Sequence, residues 1–143
     1  MAEVIIVVLI IGAIACIAVP RLNFAAIYRK QSHTVAKKIT TDLRRTRTLA
    51  IVNAATNSTG FTLRMTGSSP YTGYQITNDA NSAVVETQSL DSHITCTGNS
   101  EFRFGPLGNL RSGSGTSLNV ASSGRTYTIT LISGTGIVKC SGG

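Results

Sequence analysis

The first twenty residues are dominated by one apolar run, from Val4 to Val19, with no charge inside it. Glu3 stands directly before the run, and Pro20 and Arg21 close it. Its sixteen residues would span roughly 24 Å as a helix, at ~1.5 Å per residue, slightly less than a bilayer core. A cleaved secretory signal has basic residues before its apolar run and a small-residue cleavage site after it. The pattern therefore predicts a retained hydrophobic stem over residues 1–20.

Beyond Pro20 the apolar positions recur with the helical period. One stripe on this part of the chain consists of Val35, Ala36, Ile39, Leu43, Ala50 and Ile51. Together with the stem, it predicts one long helix from about residue 2 to about residue 55. Pro20 removes a helical hydrogen bond and is expected to kink or open this helix, and Gly12 weakens the same region.

After residue 56 the apolar period falls to about two, which is typical of strands. Turns rich in Ser, Gly, Asn and Pro separate eight predicted strands, at 60–65, 73–77, 83–90, 93–97, 101–105, 117–121, 125–133 and 136–140. One face of such a sheet needs a cover, and the helical stripe can supply it. The sequence therefore predicts an α+β fold in three parts: the stem at 1–20, an amphipathic helical half at 21–56, and an antiparallel β-sheet head at 57–143.

The chain carries a formal net charge of +7, and all of the excess lies on one segment. Between residues 21 and 47 there are eight basic side chains and one acid, Asp42, whereas elsewhere five bases balance five acids. The molecule is therefore asymmetric in charge. Basic residues on a helix more often contact other subunits or lipid headgroups than they contact DNA.

The three cysteines fall into two groups, one in the apolar run and two in the strand-rich part of the chain. Cys16 lies in the apolar run and can act as a small hydrophobe. Cys96 and Cys140 both lie in predicted strands. Either they form a disulfide, which implies an oxidising compartment such as the periplasm or the cell surface, or they are two unrelated thiols.

Nothing in the sequence favours an enzyme, a metal site or a cofactor. His33 and His93 have no Cys or acid at a metal-ligand spacing, and Ser92 next to His93 does not make a catalytic triad. The glycines of RSGSGTS (111–117) lack the lysine of a phosphate-binding loop. Asn57-Ser58-Thr59 fits a glycosylation acceptor, a match that is often due to chance.

The stem EVIIVVLIIGAIACIAVPRL, with its glutamate, its Gly-to-Pro spacing and its basic amphipathic continuation, resembles the N-terminal helix of type IV pilins and pseudopilins. KKITTDLRRTRTLAIVNA is similar to the second helical half of the FimT/GspH branch. EFRFGPLGNL resembles that branch's Phe-x-Pro-x-Gly segment, with an additional glycine before the proline, and GRTYTITLISGTGIVKC resembles its closing strands. In family register, two further residues such as Phe-Thr would precede Met1.

The resemblance implies a structural subunit of an extracellular pilus-like filament, first anchored in the inner membrane and then handled by an assembly machinery. It implies that Glu3 approaches the α-amino group of an adjacent subunit and sets the register, with Gly12 and Pro20 as the region of helix unwinding. A plain interfacial role for Glu3 at a helix N-terminus is the alternative. The stem-packing residues are expected to be Val4, Ile5, Val8, Leu9, Ile11, Ile14 and Ile17.

Two alternatives share the same N-terminal stem. One is a minor pilin that binds DNA during uptake, for which the candidate phosphate contacts are Arg125, Lys37, Lys38, Arg44 and Arg45. The FimT-like binders have a Gly-Arg-x-Arg segment, of which this chain keeps Gly124 and Arg125 but has Tyr127 in place of the second arginine. The other is a GspH-like pseudopilin of type II secretion, working in the periplasm.

Overall fold

The computed structural model describes residues 2–18 and 24–142. Helix α1 spans Ala2–Ala18 and helix α2 spans Phe24–Val52. α1 runs without interruption through Gly12. The predicted helix over residues 2–55 is thus found as two described segments, and the predicted kink at Pro20 lies outside the described residues.

The part of the chain after α2 consists of strands, and each one described agrees with a predicted strand to within two residues. They are β1 (Phe61–Thr66), β2 (Gly73–Asn78), β3 (Ala83–Ser89), β4 (Thr95–Gly98), β5 (Glu101–Phe104), β6 (Ser117–Ser122), β7 (Arg125–Ile132) and β8 (Ile137–Gly142). The period-two pattern was a useful guide because most of these strands alternate buried and more exposed positions, as β6 and β7 do. No residue of β3 is buried.

The described strands form two antiparallel sheets instead of the single sheet that we expected. The first sheet has the order β3-β2-β1-β5, and the second has the order β4-β6-β7-β8. Alternation along a strand shows which residues face inward, but it does not show which strands are hydrogen-bonded neighbours. The division into two sheets therefore could not be read from the pattern.

Helix α2 covers both sheets and contacts β1 and β5 of the first and β6, β7 and β8 of the second. The predicted stripe is the face that is buried: four of its six residues are fully inaccessible, namely Ala36, Ile39, Leu43 and Ala50. Val35 is partly buried against the core. Ile51 stays 43% exposed; it lies in the last turn of α2, next to Gly108.

The segment after β5 ties the end of α2 to the β7–β8 turn. Arg47 Nε donates to the carbonyl oxygen of Gly108 at 3.0 Å. A Cβ on Gly108 would lie 2.6 Å from Ile51 Cδ1, and one on Gly136 would lie 2.0 Å from the Gly108 carbonyl oxygen. Both glycines have positive φ, at 77° and 64°, so neither position accepts a larger residue without strain.

The loop between α2 and β1 is organised around Asn57, which is 4% exposed. Its amide nitrogen donates to Gly60 O and to Asn78 Oδ1. Its Oδ1 accepts from Thr59 N, Thr59 Oγ1 and Gly60 N. The side chain that the sequence marks as a glycosylation acceptor is therefore buried and fully hydrogen-bonded, so a glycan cannot be attached to it in the folded head.

The predicted Cys96–Cys140 disulfide is not formed, and both thiols are free. Cys96 lies in β4 and Cys140 in β8, which are the two edge strands of the second sheet. Three strand spacings of ~4.8 Å place the strands about 14 Å apart, whereas a disulfide needs Cα atoms within about 7 Å. Cys96 is fully buried and Cys140 is exposed.

Candidate functional site

The part of α1 formed by residues 2–14 is apolar on every side and open to solvent. The side chains described in α1 are those of residues 2–14, and all of them are exposed. The large apolar ones are between 54% and 66% exposed and comprise Val4, Ile5, Ile6, Val7, Val8, Leu9, Ile10, Ile11 and Ile14. Eight of these are consecutive, so they point in all directions around the helix.

Such a surface is unstable in water unless something covers it. Burying a Val, Leu or Ile side chain contributes about 1.5–3 kcal/mol, so covering this helix is worth on the order of 10 kcal/mol. A helix that is apolar all round belongs inside protein or lipid. Among the described residues, no helix is both long enough and apolar enough to cross a membrane.

The predicted stem residues are found on this surface as far as their side chains are described. Val4, Ile5, Val8, Leu9, Ile11 and Ile14 are all exposed, and the Ile17 side chain lies outside the described part. Glu3 is in the first turn of α1 and is also exposed. A carboxylate there is favoured by the helix dipole, and among the described cations none pairs with it.

A second feature is a cationic cleft between the first half of α2 and the start of β7. Lys30 and His33 line it from the helix, and Arg125 and Tyr127 from the strand, around a volume of about 370 Å³. The rings of His33 and Tyr127 have centroids 5.4 Å apart. None of these four lining residues is acidic, so Lys30 and Arg125 give the cleft two positive charges.

Two of the predicted DNA contacts extend the positive charge along the helix. Lys30, Lys37 and Arg44 are seven residues apart, which puts them on one helix face at intervals of ~10.5 Å. Arg44 Nη2 also donates to the carbonyl oxygen of Val138 at 3.2 Å, on the second sheet.

The other two predicted DNA contacts on α2 already form ion pairs with acidic side chains. Lys38 Nζ lies 3.3 Å from Asp42 Oδ2, and Arg45 pairs with Glu86. The five predicted residues are thus not brought together. Arg125 instead lines the cleft together with Lys30, His33 and Tyr127. The i, i+3 spacing of Lys30 and His33 indicates that they share a helix face. Nothing in the sequence indicated that Tyr127 lies beside them.

Within residues 2–18 and 24–142, no three His, Cys, Asp or Glu side chains are grouped so that they could hold a metal ion. Comparison of the chain with protein-family models, with curated proteins and with solved structures gave no match.

Proposed function

We propose that the protein is a structural subunit of a type IV pilus-like extracellular filament, assembled through α1 helices that pack together in the filament core. The supporting observation is the contrast between α1 and the rest of the chain. The head has a closed core of its own, formed by α2 and both sheets, whereas α1 exposes large apolar residues on every side. A bundle of such helices, or a bilayer before assembly, supplies the missing cover.

The sequence resemblance to type IV pilins and pseudopilins, closest to the FimT/GspH branch, supports the same conclusion. The α+β architecture also agrees with it, since an N-terminal helix precedes a helix packed on antiparallel sheets. In the filament, Glu3 pairs with a cationic group of an adjacent subunit, for which the α-amino group is the candidate. Such a pair determines the axial register of the subunits more than it stabilises the filament, because a misplaced subunit leaves a buried charge unpaired.

Electron microscopy of the full chain, after dilution out of detergent, tests the assembly role of α1. Leu9 in α1 is 66% exposed and Leu107 in the head is 86% exposed, so the variants Leu9→Asp and Leu107→Asp add the same charge at comparably open positions. We expect Leu9→Asp to abolish regular fibres and Leu107→Asp to leave them intact. Fibres of normal yield and diameter from Leu9→Asp would show that α1 does not form the core.

The register role of Glu3 is tested separately with Glu3→Gln and Glu3→Asp. Loss of the charge in Glu3→Gln should lower the fibre yield at least tenfold, because the partner charge is then buried alone. Glu3→Asp keeps the charge and should retain most of the yield. If Glu3→Gln assembles as the unaltered chain does, Glu3 is only a residue favoured at a helix N-terminus.

The cationic cleft favours a second function, binding of DNA through its phosphates. Arg125 and Lys30 can neutralise adjacent phosphates, and Lys37 and Arg44 continue the positive line along α2. All of these proposed contacts are to phosphates and none is to a base. The expected binding is therefore independent of DNA sequence and falls steeply with salt.

Electrophoretic or fluorescence titration of a DNA duplex at several salt concentrations tests this second function. Arg125→Gln should weaken binding and reduce the salt slope by about one. Lys139→Gln, which removes one positive charge from an exposed position on β8 outside the cleft, should leave both nearly unchanged. Equal losses in the two variants would indicate general attraction to a basic protein, and absence of binding at low salt would remove the proposal.

A further inference from the structure

The outer face of the first sheet carries a polar groove with a volume of about 580 Å³, on the side of that sheet away from α2. Its lining is rich in hydroxyl and amide groups and includes three arginines, Arg64, Arg103 and Arg111. This clustering could not be predicted from the sequence, since these arginines lie on three separated segments within the part of the chain whose charges balance.

The register of the strands explains how the arginines meet. Arg64 on β1 is paired across the ladder with Gln75 on β2 and with Glu101 on β5. Thr62, two residues earlier, is paired with Thr77 and with Arg103. The backbone of Arg111 donates to the carbonyl oxygen of Arg103 at 2.9 Å, which brings the third guanidinium to the same edge.

Charge in the groove is only partly compensated. Arg64 Nε donates to Glu101 Oε1 at 2.6 Å, and Arg103 Nε donates to Oε2 of the same carboxylate at 2.9 Å. Two guanidinium groups thus share one carboxylate, and each retains unused N–H donors. Arg111 donates to the carbonyl oxygen of Thr59, an uncharged acceptor.

Asp79 is the acid among the lining residues, and its Oδ2 accepts from the Thr62 hydroxyl at 2.8 Å. Three arginines against Glu101 and Asp79 leave one positive charge. The groove therefore presents fixed guanidinium donors, a positive excess, and a floor of hydroxyl and amide groups. No aromatic ring is among its lining residues, so stacking on an uncharged sugar ring or on a nucleobase is not available.

We propose that this groove binds an anionic oligosaccharide, one that carries carboxylate or sulfate groups along a hydroxyl-rich chain. The guanidinium of Arg111, together with the unused donors of Arg103 and Arg64, binds the acidic group in the paired geometry that suits carboxylate and sulfate oxygens. The threonine, serine and amide side chains exchange hydrogen bonds with the sugar hydroxyls. This site is separate from α1 and from the cationic cleft, and it does not depend on filament formation.

Titration of the full chain in detergent with an oligogalacturonate tests the proposal, and the fully methyl-esterified oligomer serves as the uncharged control. We expect the acid form to bind and the ester to bind at least tenfold more weakly. Arg111→Gln should weaken binding of the acid form about tenfold or more, and Arg111→Lys should restore part of it.

Lys139→Gln is the matched variant, because it removes one positive charge from an exposed position on β8 that lines neither the groove nor the cationic cleft, and it should change the affinity less than twofold. Thermal unfolding of each variant checks that the head remains folded. Equal weakening by Arg111→Gln and Lys139→Gln, equal binding of acid and ester, or no binding at low salt would each overturn the proposal. None of these results bears on fibre formation, which is scored by microscopy.

Discussion

Asp42 of α2 accepts a hydrogen bond from the hydroxyl of Tyr74 on β2, with 2.5 Å between Oδ2 and Oη. Both residues are almost completely buried, at 6% and 2% exposed. Lys38 supplies the second contact to the same carboxylate oxygen. This polar pair joins α2 to β2 of the first sheet within a largely apolar interface. Its loss should therefore destabilise the packing of the helix on the sheet.

Tyr74→Phe removes the hydroxyl and leaves Asp42 buried with one donor fewer. We expect the free energy of unfolding to fall by about 1–3 kcal/mol, the usual cost of an unsatisfied buried polar group. Urea unfolding of the full chain in detergent measures it. In the double variant Tyr74→Phe/Asp42→Asn, the loss should be smaller than the sum of the single losses, because the two groups interact directly. Additive losses would show that the pair is not coupled.

Stability at alkaline pH checks the same pair independently. Burial, followed by the hydrogen bond to Asp42 and its charge, raises the pKa of Tyr74 far above its ordinary value of 10.0. The folded state therefore keeps the proton, so this contribution is complete below pH 10 and is lost as the pH rises beyond it. Between about pH 10 and pH 12 the unaltered chain should lose more stability than Tyr74→Phe does. Parallel pH profiles would contradict the assignment.

The two described thiols should differ sharply in reactivity. Cys140 is exposed, and Cys96 is buried, which raises the pKa of its thiol to about 12. In a Cys16→Ser background, a maleimide should modify Cys140 in the native protein and Cys96 only after urea unfolding. Mass spectrometry without reduction should find no Cys96–Cys140 bridge. A bridged peptide would show that the edge strands are not arranged as described.

Asn57→Ala removes five hydrogen bonds from the loop before β1. Because several of their partners are backbone groups that would then lack donors or acceptors, we expect a loss of about 2–4 kcal/mol. Asn81→Ala, at an exposed position with one hydrogen bond from Ala83 N, should cost less than 1 kcal/mol. Thermal or urea unfolding of both variants gives the comparison, and similar losses would remove the special role of Asn57.

Acid should weaken the ion cluster on the outer face of the first sheet. Burial acts to raise the pKa of Glu101, but hydrogen bonds from Arg103 and Arg64 outweigh it and hold the pKa below its ordinary value of 4.5. The contribution of Glu101 is therefore present above that value and is lost as the pH falls through the lower, folded-state value. The stability advantage over Glu101→Gln should shrink below about pH 4, as followed by thermal unfolding. An advantage that is constant from pH 7 to pH 3 would contradict this.

The sequence predicted the elements of the fold better than their arrangement. Periodicity identified the stripe at Ala36, Ile39 and Leu43 and most of the described strands, because burial of one face leaves a period in the sequence. β3 was also predicted, although none of its residues is buried. It did not reveal the two sheets, since pairing between distant strands leaves no local pattern. The disulfide prediction was wrong for the same reason: Cys96 and Cys140 are both in strands, but opposite edges of a sheet cannot be recognised from spacing alone.

Prediction of the candidate sites was limited in the same way. The apolar surface of α1 is continuous in sequence, so its residues could be named in advance. The cationic cleft and the outer groove join residues from different elements, and the arginines at 64, 103 and 111 are unremarkable in the sequence. Lys38 and Arg45 were predicted as phosphate contacts, but acids from α2 and β3 partly neutralise them, which a count of charges along one helix could not show.

The even distribution of apolar side chains around α1 has a consequence for orientation. A helix with a polar side has one preferred rotation about its own axis in an apolar environment, because turning it would expose or bury that side at a cost. Between Val4 and Ile11 there is no such side, so rotation of α1 about its axis leaves the buried area nearly constant. The orientation of α1 about its axis is then determined at its two ends, by the carboxylate of Glu3 at one end and by the attachment of the head at the other.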